Sequence, residues 1–299
     1  DEVARRSRSE NFGSPHQWLE RVRADVVLAY FGFNESFEGE AGVEKFKTDL
    51  ANFLQETKAM NYSGKGAPRI VLLSPIANEQ PLDPNFEVPS ANNQNLALYT
   101  RAMAEVAAAQ GVGFVDLFSP SRAMMEQMRE QSRALTTNGI HLNEEGNRLL
   151  APVMFRGLFG EEPPAGDFEQ LRAAINEKNW QWHQRYRTVD GYNVYGGRSA
   201  LAYNPAESRF ISDRNAPEPF ISNYKVMQEE MAQRDVLTAN RDRRVWAVAR
   251  GGDFVVDDSN VPPVTRIASN KPGPNADGSH PFLDGEEAIA KMTVHSGMK

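Results

Sequence analysis

Apolar residues along the first 160 positions occur in two kinds of run, which alternate. Three short runs are bounded by turn residues and predict strands, at Val26–Phe31, Arg69–Ser74 and Val112–Leu117. The first run is rich in β-branched and aromatic residues, which predicts a strand buried on both faces, as in a parallel sheet.

Between these strands the apolar residues recur every three or four positions, which predicts amphipathic helices. The predicted helices are Gly39–Met60, Asn92–Gln110 closed by Gly111, one that starts at Ser119–Pro120, and one from Asn143 to Phe159. Strand and helix in alternation predict an α/β fold with right-handed crossovers and a parallel sheet covered by helices. Because such sheets usually hold about five or six strands, we expect strands upstream of those visible here.

The remaining residues predict a different organisation. Glu161 to Pro164 marks a boundary, after which two long helical patterns, Asp167–Arg187 and Ser222–Arg250, flank a stretch without regular pattern at 188–221. The predicted layout is an α/β domain that is incomplete at its N-terminus, a mainly helical extension rich in aromatic residues, a linker, and the start of a further, truncated domain, at residues 1–160, 161–256, 257–283 and 284–299.

Composition narrows the classes of function. Of 299 residues, 24% are charged and the formal net charge is −7, which argues against a nucleic-acid partner. No apolar run approaches the roughly 20 residues of a membrane span. Cysteine is absent and the five histidines show no metal-binding spacing, so no disulfide, metal or other cofactor is expected. The chain does not begin with methionine, and we expect it to start inside a longer protein.

Two loops carry residues suited to catalysis. Gly32-Phe33-Asn34-Glu35 follows the first strand, and Asn138-Gly139-Ile140-His141 precedes the last helix of the α/β segment. A histidine can act as a general base, and an asparagine amide can donate to a developing oxyanion. Each of the two residues also has a purely structural interpretation, since Asn34 can cap a turn and His141 can be a packing residue. Both loops together, in this order, favour one shared site at the carboxyl edge of the sheet.

These two loops resemble sequence blocks of the SGNH (GDSL-type) hydrolases. Gly32-Phe33-Asn34-Glu35 resembles the Gly-x-Asn-Asp block, with Glu35 in place of aspartate, and Asn138 to His141 resembles the closing Asp-x-x-His block. The resemblance covers about residues 1–160. It implies a three-layer α/β/α, flavodoxin-like fold without its first strands, and esterase or acylhydrolase chemistry from a Ser-His-Asp triad.

By this resemblance, Asn34 in the loop Gly32–Glu35 is an oxyanion donor and His141 is the general base, with Asn138 where the family has its aspartate. Asp116 is an alternative partner for the histidine. The family's nucleophile lies in a Gly-Asp-Ser block, which this sequence lacks. Ser36 and Ser74 are nearby hydroxyls, and Ser74, at a strand end, is interpreted as structural. The nucleophile is therefore expected upstream.

The resulting hypothesis is a serine hydrolase of small acyl or acetyl esters, carbohydrate-linked esters included, which is inactive as this chain alone. The alternative is a non-catalytic SGNH-like module that binds glycans or acts as a spacer, and Asn138 favours it. The chain also resembles domains of large secreted bacterial proteins of Planctomycetes type, which implies further domains, such as a propeller-like dehydrogenase and a haem-binding segment, and an extracytoplasmic or periplasmic location.

Overall fold

The computed structural model of the protein describes residues 2–4, 13–83, 85, 89–186, 196–204, 206–207, 209–263 and 265. The chain divides into two compact units, Asp1–Ala165 and Gly166–Lys299. The further domain expected at 284–299 and most of the expected linker at 257–283 lie outside the described residues.

The first unit is an α/β structure built on three parallel strands in the order β1-β2-β3. Val26 of β1 pairs with Arg69 of β2, and Val71 of β2 pairs with Gly113 of β3, so the predicted parallel sheet is confirmed. The elements, in chain order, are α1 Pro15–Arg21, β1 Val26–Tyr30, a 3-10 helix Glu35–Gly42, α2 Val43–Lys58, β2 Arg69–Leu73, a 3-10 helix Pro89–Asn92, α3 Asn93–Gln110, β3 Gly113–Val115, α4 Phe118–Glu130 and α5 Glu144–Phe159.

One face of this sheet is covered by α2 and α3. The apolar residues that recur at helical spacing in the sequence form this core, because the same spacing places them on one side of each helix. The buried cluster includes Phe46, Leu50, Leu54, Leu72, Tyr99 and Met103.

The other face is covered by α5 over the half of the sheet that holds β2 and β3. Leu150 of α5 packs with Leu73 and Val115 of the strands. Gly157 allows this close approach, since a Cβ at that position would lie 2.4 Å from Cγ1 of Val115. This contact fixes α5, and with it the loop that precedes α5, relative to the sheet.

The expected burial of β1 on both faces is wrong. Val27 and Ala29 are buried, whereas Val26, Leu28 and Tyr30 on the opposite face are 40%, 41% and 52% exposed. Among the described residues β1 pairs only with β2, so it lies at the edge of the sheet. An apolar run predicts a strand, but it does not specify what covers each face.

The start of α4 also differs from the prediction. Gly111 closes α3 with a φ of +63°, as predicted. The next helix, however, begins at Phe118 rather than at Ser119–Pro120. The backbone N–H groups of Leu117 and Phe118 donate to Oγ of Ser74, 43 and 44 residues earlier in the chain. A cap supplied by a distant strand end leaves no local pattern.

The second unit pairs two long helices with a small sheet. Helices α6 (Glu169–Tyr186) and α7 (Asn223–Ala249) agree with the predicted helical segments. The stretch predicted as irregular contains three antiparallel strands, β4 Leu201–Asn204, β5 Arg209–Ser212 and β6 Ile221–Ser222. In the sheet, β4 lies between β5 and β6. These strands are two to four residues long, too short to show an alternating pattern.

Beyond α7 the chain turns back along this helix. Asp253 accepts a hydrogen bond from Arg244, Asp258 from Arg241, and Glu229 accepts one from the backbone N–H of Thr265. Within the described part of the chain, none of the helices has both the length and the apolar character needed to cross a membrane.

Candidate active site

The first candidate loop begins where β1 ends. Gly32 has a φ of +95°, a conformation that side-chain-bearing residues rarely adopt, and turns the chain out of the sheet. Phe33 then packs inward, and Asn34 is exposed to solvent. The loop therefore presents the Asn34 amide at the surface beyond the carboxyl end of the strand.

The side chains of Glu35 and Ser36 fix this loop through hydrogen bonds to backbone groups. The Glu35 carboxylate accepts hydrogen bonds from the backbone N–H of Gly32 at 3.0 Å and of Val3 at 2.8 Å. The buried Ser36 hydroxyl donates to the Phe33 carbonyl oxygen at 2.6 Å. Both side chains thus stabilise the turn that carries Asn34.

The second loop holds His141 through Asn138. Oδ1 of Asn138 accepts the backbone N–H of His141 at 3.0 Å, and the imidazole Nδ1 lies 3.0 Å from Nδ2 and 3.1 Å from Oδ1 of the same amide. The backbone N–H of Thr137 donates to the His141 carbonyl oxygen at 2.8 Å. Asn138 and His141 are both exposed. The structure brings these two predicted residues together and leaves Nε2 as the ring nitrogen for a substrate-side proton.

The Asn138 amide can serve either neutral tautomer of His141. If Oδ1 accepts from Nδ1–H, then Nε2 carries the lone pair and can act as a base. If Nδ2–H donates to Nδ1, then Nε2 carries the proton and cannot accept another. A carboxylate would support only the first arrangement, so the amide makes the protonation of the imidazole less strictly defined.

Helix α5 starts directly after this loop. Oδ1 of Asn143 accepts the backbone N–H of Gly146 at 2.9 Å, which confirms the predicted helix cap. A Cβ on Gly146 would lie 2.2 Å from the Leu135 carbonyl oxygen, so the first turn of α5 lies directly against the other limb of the loop. His141 is therefore held between a capped helix and its own hairpin-like turn.

The two loops pack on one apolar cluster. Phe33 follows β1, Ala77 follows β2, Phe118 follows β3, and Leu142 adjoins His141, and all four belong to this cluster. Three of them come directly after the carboxyl ends of parallel strands, which lie along one edge of a sheet. The structure thus places the backbones next to Asn34 and next to His141 at the same edge, while the catalytic roles of the two side chains stay predictions.

Glu79 is a buried residue that contacts the His141 loop and was not predicted from the sequence. Its carboxylate accepts hydrogen bonds from Leu135 and Thr136, and its backbone N–H donates to the Gly139 carbonyl oxygen at 2.7 Å. The available signal was an acidic residue only six positions after the second strand, in a long connection to the next helix, where functional residues are common.

The surroundings of the site hold few other candidate groups. Partial burial raises the pKa of the Tyr30 hydroxyl above its ordinary value, and this hydroxyl donates to Sδ of Met154 at 3.3 Å. Over the residues whose placement is described, no group of three or more histidine, aspartate or glutamate side chains could hold a metal ion.

A known family matches the segment that holds both candidate loops. Residues 4–149 match the GDSL-like Lipase/Acylhydrolase family, a segment that includes β1 to β3 and both candidate loops. This segment belongs to the SGNH/GDSL hydrolase family.

Individual relatives of this GDSL domain are distant. GDSL esterase/lipase WDL1 of rice (Oryza sativa subsp. japonica) is 21% identical over 193 residues, which cover 54% of this chain and 71% of the rice protein. Axe2, an acetylxylan esterase from Geobacillus stearothermophilus, is 16% identical, covers 52% of this chain and 72% of its own, and has a TM-score of 0.37. The acetyl xylan esterase AlAXEase is 20% identical with a TM-score of 0.36, over 46% of this chain and 69% of its own.

Ser74 and Asp116 were considered as a possible nucleophile and as an alternative partner of His141, and both have structural hydrogen-bond partners in this GDSL domain. Ser74 is buried, and its Oγ accepts the backbone N–H groups of Leu117 at 2.8 Å and Phe118 at 3.0 Å. The Asp116 carboxylate accepts the N–H of Ser119 at 3.0 Å and its hydroxyl at 2.6 Å. Both side chains thus organise the start of α4.

Proposed function

We propose that the GDSL domain supplies the general base and an oxyanion donor of a serine ester hydrolase that acts on small acyl or acetyl esters, including carbohydrate-linked ones. The observation that carries the proposal is the contact of His141 Nδ1 with Asn138 on an exposed loop at the carboxyl edge of the sheet. The membership of residues 4–149 in an esterase family supports the reaction class.

In the proposed reaction, Nε2 of His141 takes the proton of a serine hydroxyl while that oxygen attacks the ester carbonyl carbon. The carbonyl oxygen becomes an oxyanion, to which the Asn34 amide donates. Collapse of this intermediate breaks the bond to the leaving alkoxide, which receives the proton from His141. Water then attacks the acyl-serine with His141 again as base, and the carboxylic acid is released.

We propose further that the nucleophilic serine comes from a segment outside these 299 residues. The sequence has no Gly-Asp-Ser block, and the buried hydroxyls of Ser36 and Ser74 are engaged in structural hydrogen bonds. Among the described residues β1 has a free edge and an exposed apolar face, next to the loop that carries Asn34. A free strand edge is suited to receive a further strand, so the added segment would end near the site.

The test compares chain 1–299 with the protein expressed from the complete open reading frame that contains it. Both are assayed on p-nitrophenyl acetate and on acetylated xylo-oligosaccharides, and active-site serine is labelled with a fluorophosphonate. We expect turnover and labelling only in the longer protein, and a loss of about 10³-fold in kcat when His141 is replaced by alanine.

The control is Ser74→Ala, which removes a hydroxyl that accepts two backbone N–H groups at the start of α4. We expect this variant to lose about 1–2 kcal/mol of unfolding free energy while the longer protein keeps its turnover. Turnover by chain 1–299 that Ser74→Ala abolishes would contradict the assignment of the nucleophile to an outside segment. A longer protein without serine-dependent turnover would remove the hydrolase proposal.

A second candidate function is supported by Asn138. Because an amide stabilises the imidazolium less than a carboxylate does, the position favours a non-catalytic module that binds glycans or acts as a spacer. Binding of acetylated xylo-oligosaccharides without turnover, in the longer protein and by calorimetry, would select glycan binding. If the longer protein shows no binding and no turnover, the spacer role is the function that remains.

A further inference from the structure

Glu79 is a buried carboxylate that accepts three hydrogen bonds from the loop that carries His141. It is 4% exposed, and Oε1 accepts the backbone N–H of Leu135 at 2.8 Å. Oε2 accepts the backbone N–H of Thr136 at 2.7 Å and the Thr136 hydroxyl at 2.5 Å. Hydrogen bonds to an ionised acceptor are roughly twice as strong as neutral ones, so these three hold the limb that leads to His141 firmly.

The backbone of Glu79 binds the same loop at a second point. Its N–H donates to the carbonyl oxygen of Gly139 at 2.7 Å, and the N–H of Gly139 donates to Oγ1 of Thr136 at 2.9 Å. Residue 79 therefore contacts the loop on both sides of Asn138, the residue whose amide lies against the His141 imidazole. A displacement at either point would move Asn138 relative to the ring.

The segment that carries Glu79 is itself fixed to two helices. Asn93 at the start of α3 accepts the backbone N–H of Asn78 at 2.8 Å and donates to its carbonyl oxygen at 2.9 Å. On α4, the guanidinium of Arg129 donates to the carbonyl oxygen of Gln80 at 2.9 Å. Glu79 thus stands between these two anchored neighbours, and it connects the helical layer to the His141 loop.

We propose that Glu79 is a positioning residue for His141, which sets the geometry of the Asn138–His141 pair from the anchored segment after β2. The effect of Glu79 on catalysis rests on the proposed function, whereas its effect on the conformation of the His141 loop does not. The carboxylate is required because both of its oxygens face N–H or O–H donors. In Glu79→Gln one oxygen becomes an NH₂ group that opposes a donor, and in Glu79→Asp the carboxylate is one methylene farther from its donors on Leu135 and Thr136.

The first experiment uses chain 1–299 and requires no turnover. Amide exchange of Leu135 and Thr136 and the imidazole ¹⁵N shifts of His141 are measured by NMR in the wild type and in Glu79→Gln. We expect the two amides to exchange at least about tenfold faster and the His141 ring signals to move toward those of a free imidazole, while Leu72 in β2 keeps its exchange rate.

The matched control is Glu126→Gln, the same change at an exposed position on α4 that pairs with Arg122, and it should leave all of these signals unchanged. If Glu79→Gln does not fold, Thr136→Val decides, because it removes one of the three donors to Glu79 together with the acceptor of the Gly139 N–H, and it should shift the same signals. Wild-type exchange rates and His141 signals in a folded Glu79 variant, or in Thr136→Val, would overturn the proposal.

The second experiment uses the protein from the complete open reading frame. A displacement of about 1 Å at a catalytic group can cost about 10²-fold, so Glu79→Gln should lower kcat by about that factor with KM within about twofold. Glu79→Asp should recover part of the loss. NMR changes without any esterase turnover would reject the proposed reaction and keep the positioning role, whereas a wild-type kcat in Glu79→Gln would reject the positioning role.

Discussion

Asn138 places an amide against Nδ1 of the His141 imidazole, and an amide can pair with that nitrogen whether or not it carries the proton. Oδ1 and Nδ2 of Asn138 both lie within 3.1 Å of the imidazole Nδ1, so each neutral tautomer finds a partner. Only the tautomer with its proton on Nδ1 has a lone pair on Nε2 for general-base chemistry.

We predict that Asn138→Asp makes the Nδ1–H tautomer dominant, because a carboxylate only accepts. The measurement is the long-range ¹H–¹⁵N spectrum of the His141 ring, whose two nitrogen shifts report the tautomer. In a serine protease the reverse replacement costs about 10⁴ in kcat, so the substitution should raise kcat by as much as about 10³-fold in the longer protein.

The control for this prediction is Asn52→Asp, the same change at an exposed position on α2. This variant should leave the tautomer as it is in the wild type. If the wild-type imidazole already holds its proton wholly on Nδ1 and Asn138→Asp changes nothing, the amide does not disturb the tautomer and the prediction is wrong.

At the scale of elements, the hydrophobic pattern predicts what is local and misses what is distant. The C-terminus of α3 and the N-terminus of α5 were predictable because Gly111 and Asn143 act on neighbouring residues. The contact of Ser74 with the start of α4 and the fixation of the His141 loop by Glu79 were not, because each side chain acts on residues more than 40 positions away. The candidate residues Asn34, Asn138 and His141 came from the resemblance and from turn chemistry, neither of which identifies a supporting carboxylate.

Helix α7 carries a second carboxyl group that could not be predicted from the pattern. Glu230 is 3% exposed, and burial raises its pKa from 4.5 to about 7, against the opposing charge of Arg234 and with the like charge of Glu229. Arg234 is itself buried and donates to Oε1 of Gln181 on α6 at 2.5 Å. The folded state therefore holds a proton on Glu230 at a pH where the unfolded chain has released it.

Because the folded pKa is the higher one, we predict that the unfolding free energy of the second unit falls as pH rises from 4.5 to about 7. Above pH 7 the cost approaches about 3 kcal/mol, and Glu230→Gln should recover it while changing little at pH 4.5. Urea unfolding followed by tryptophan fluorescence at pH 4.5, 6 and 8 measures this. Glu207→Gln, an exposed carboxylate of the same unit, should follow the wild type, and a pH-independent difference between Glu230→Gln and wild type would contradict the linkage.

At the scale of the molecule, β1 is the place where local pattern and three-dimensional surroundings disagree. Its sequence has the apolar character of a strand covered on both sides, yet Val26, Leu28 and Tyr30 form a half-exposed face. A sequence pattern reports the environment for which a strand is suited, and the structure of these residues reports the environment it has here. The two agree if a further segment covers this face in the longer protein.

We predict that Leu28→Thr costs less than about 1 kcal/mol of unfolding free energy in chain 1–299, since Leu28 is 41% exposed and threonine favours strands. In the protein from the complete open reading frame the same change should cost about 2 kcal/mol or more, because the side chain is then buried. The matched control is Leu72→Thr in β2, which is fully buried and should cost about 3 kcal/mol or more in both proteins. Urea unfolding of the two proteins gives the difference directly, and an equally small cost of Leu28→Thr in both would show that nothing covers this face of the sheet.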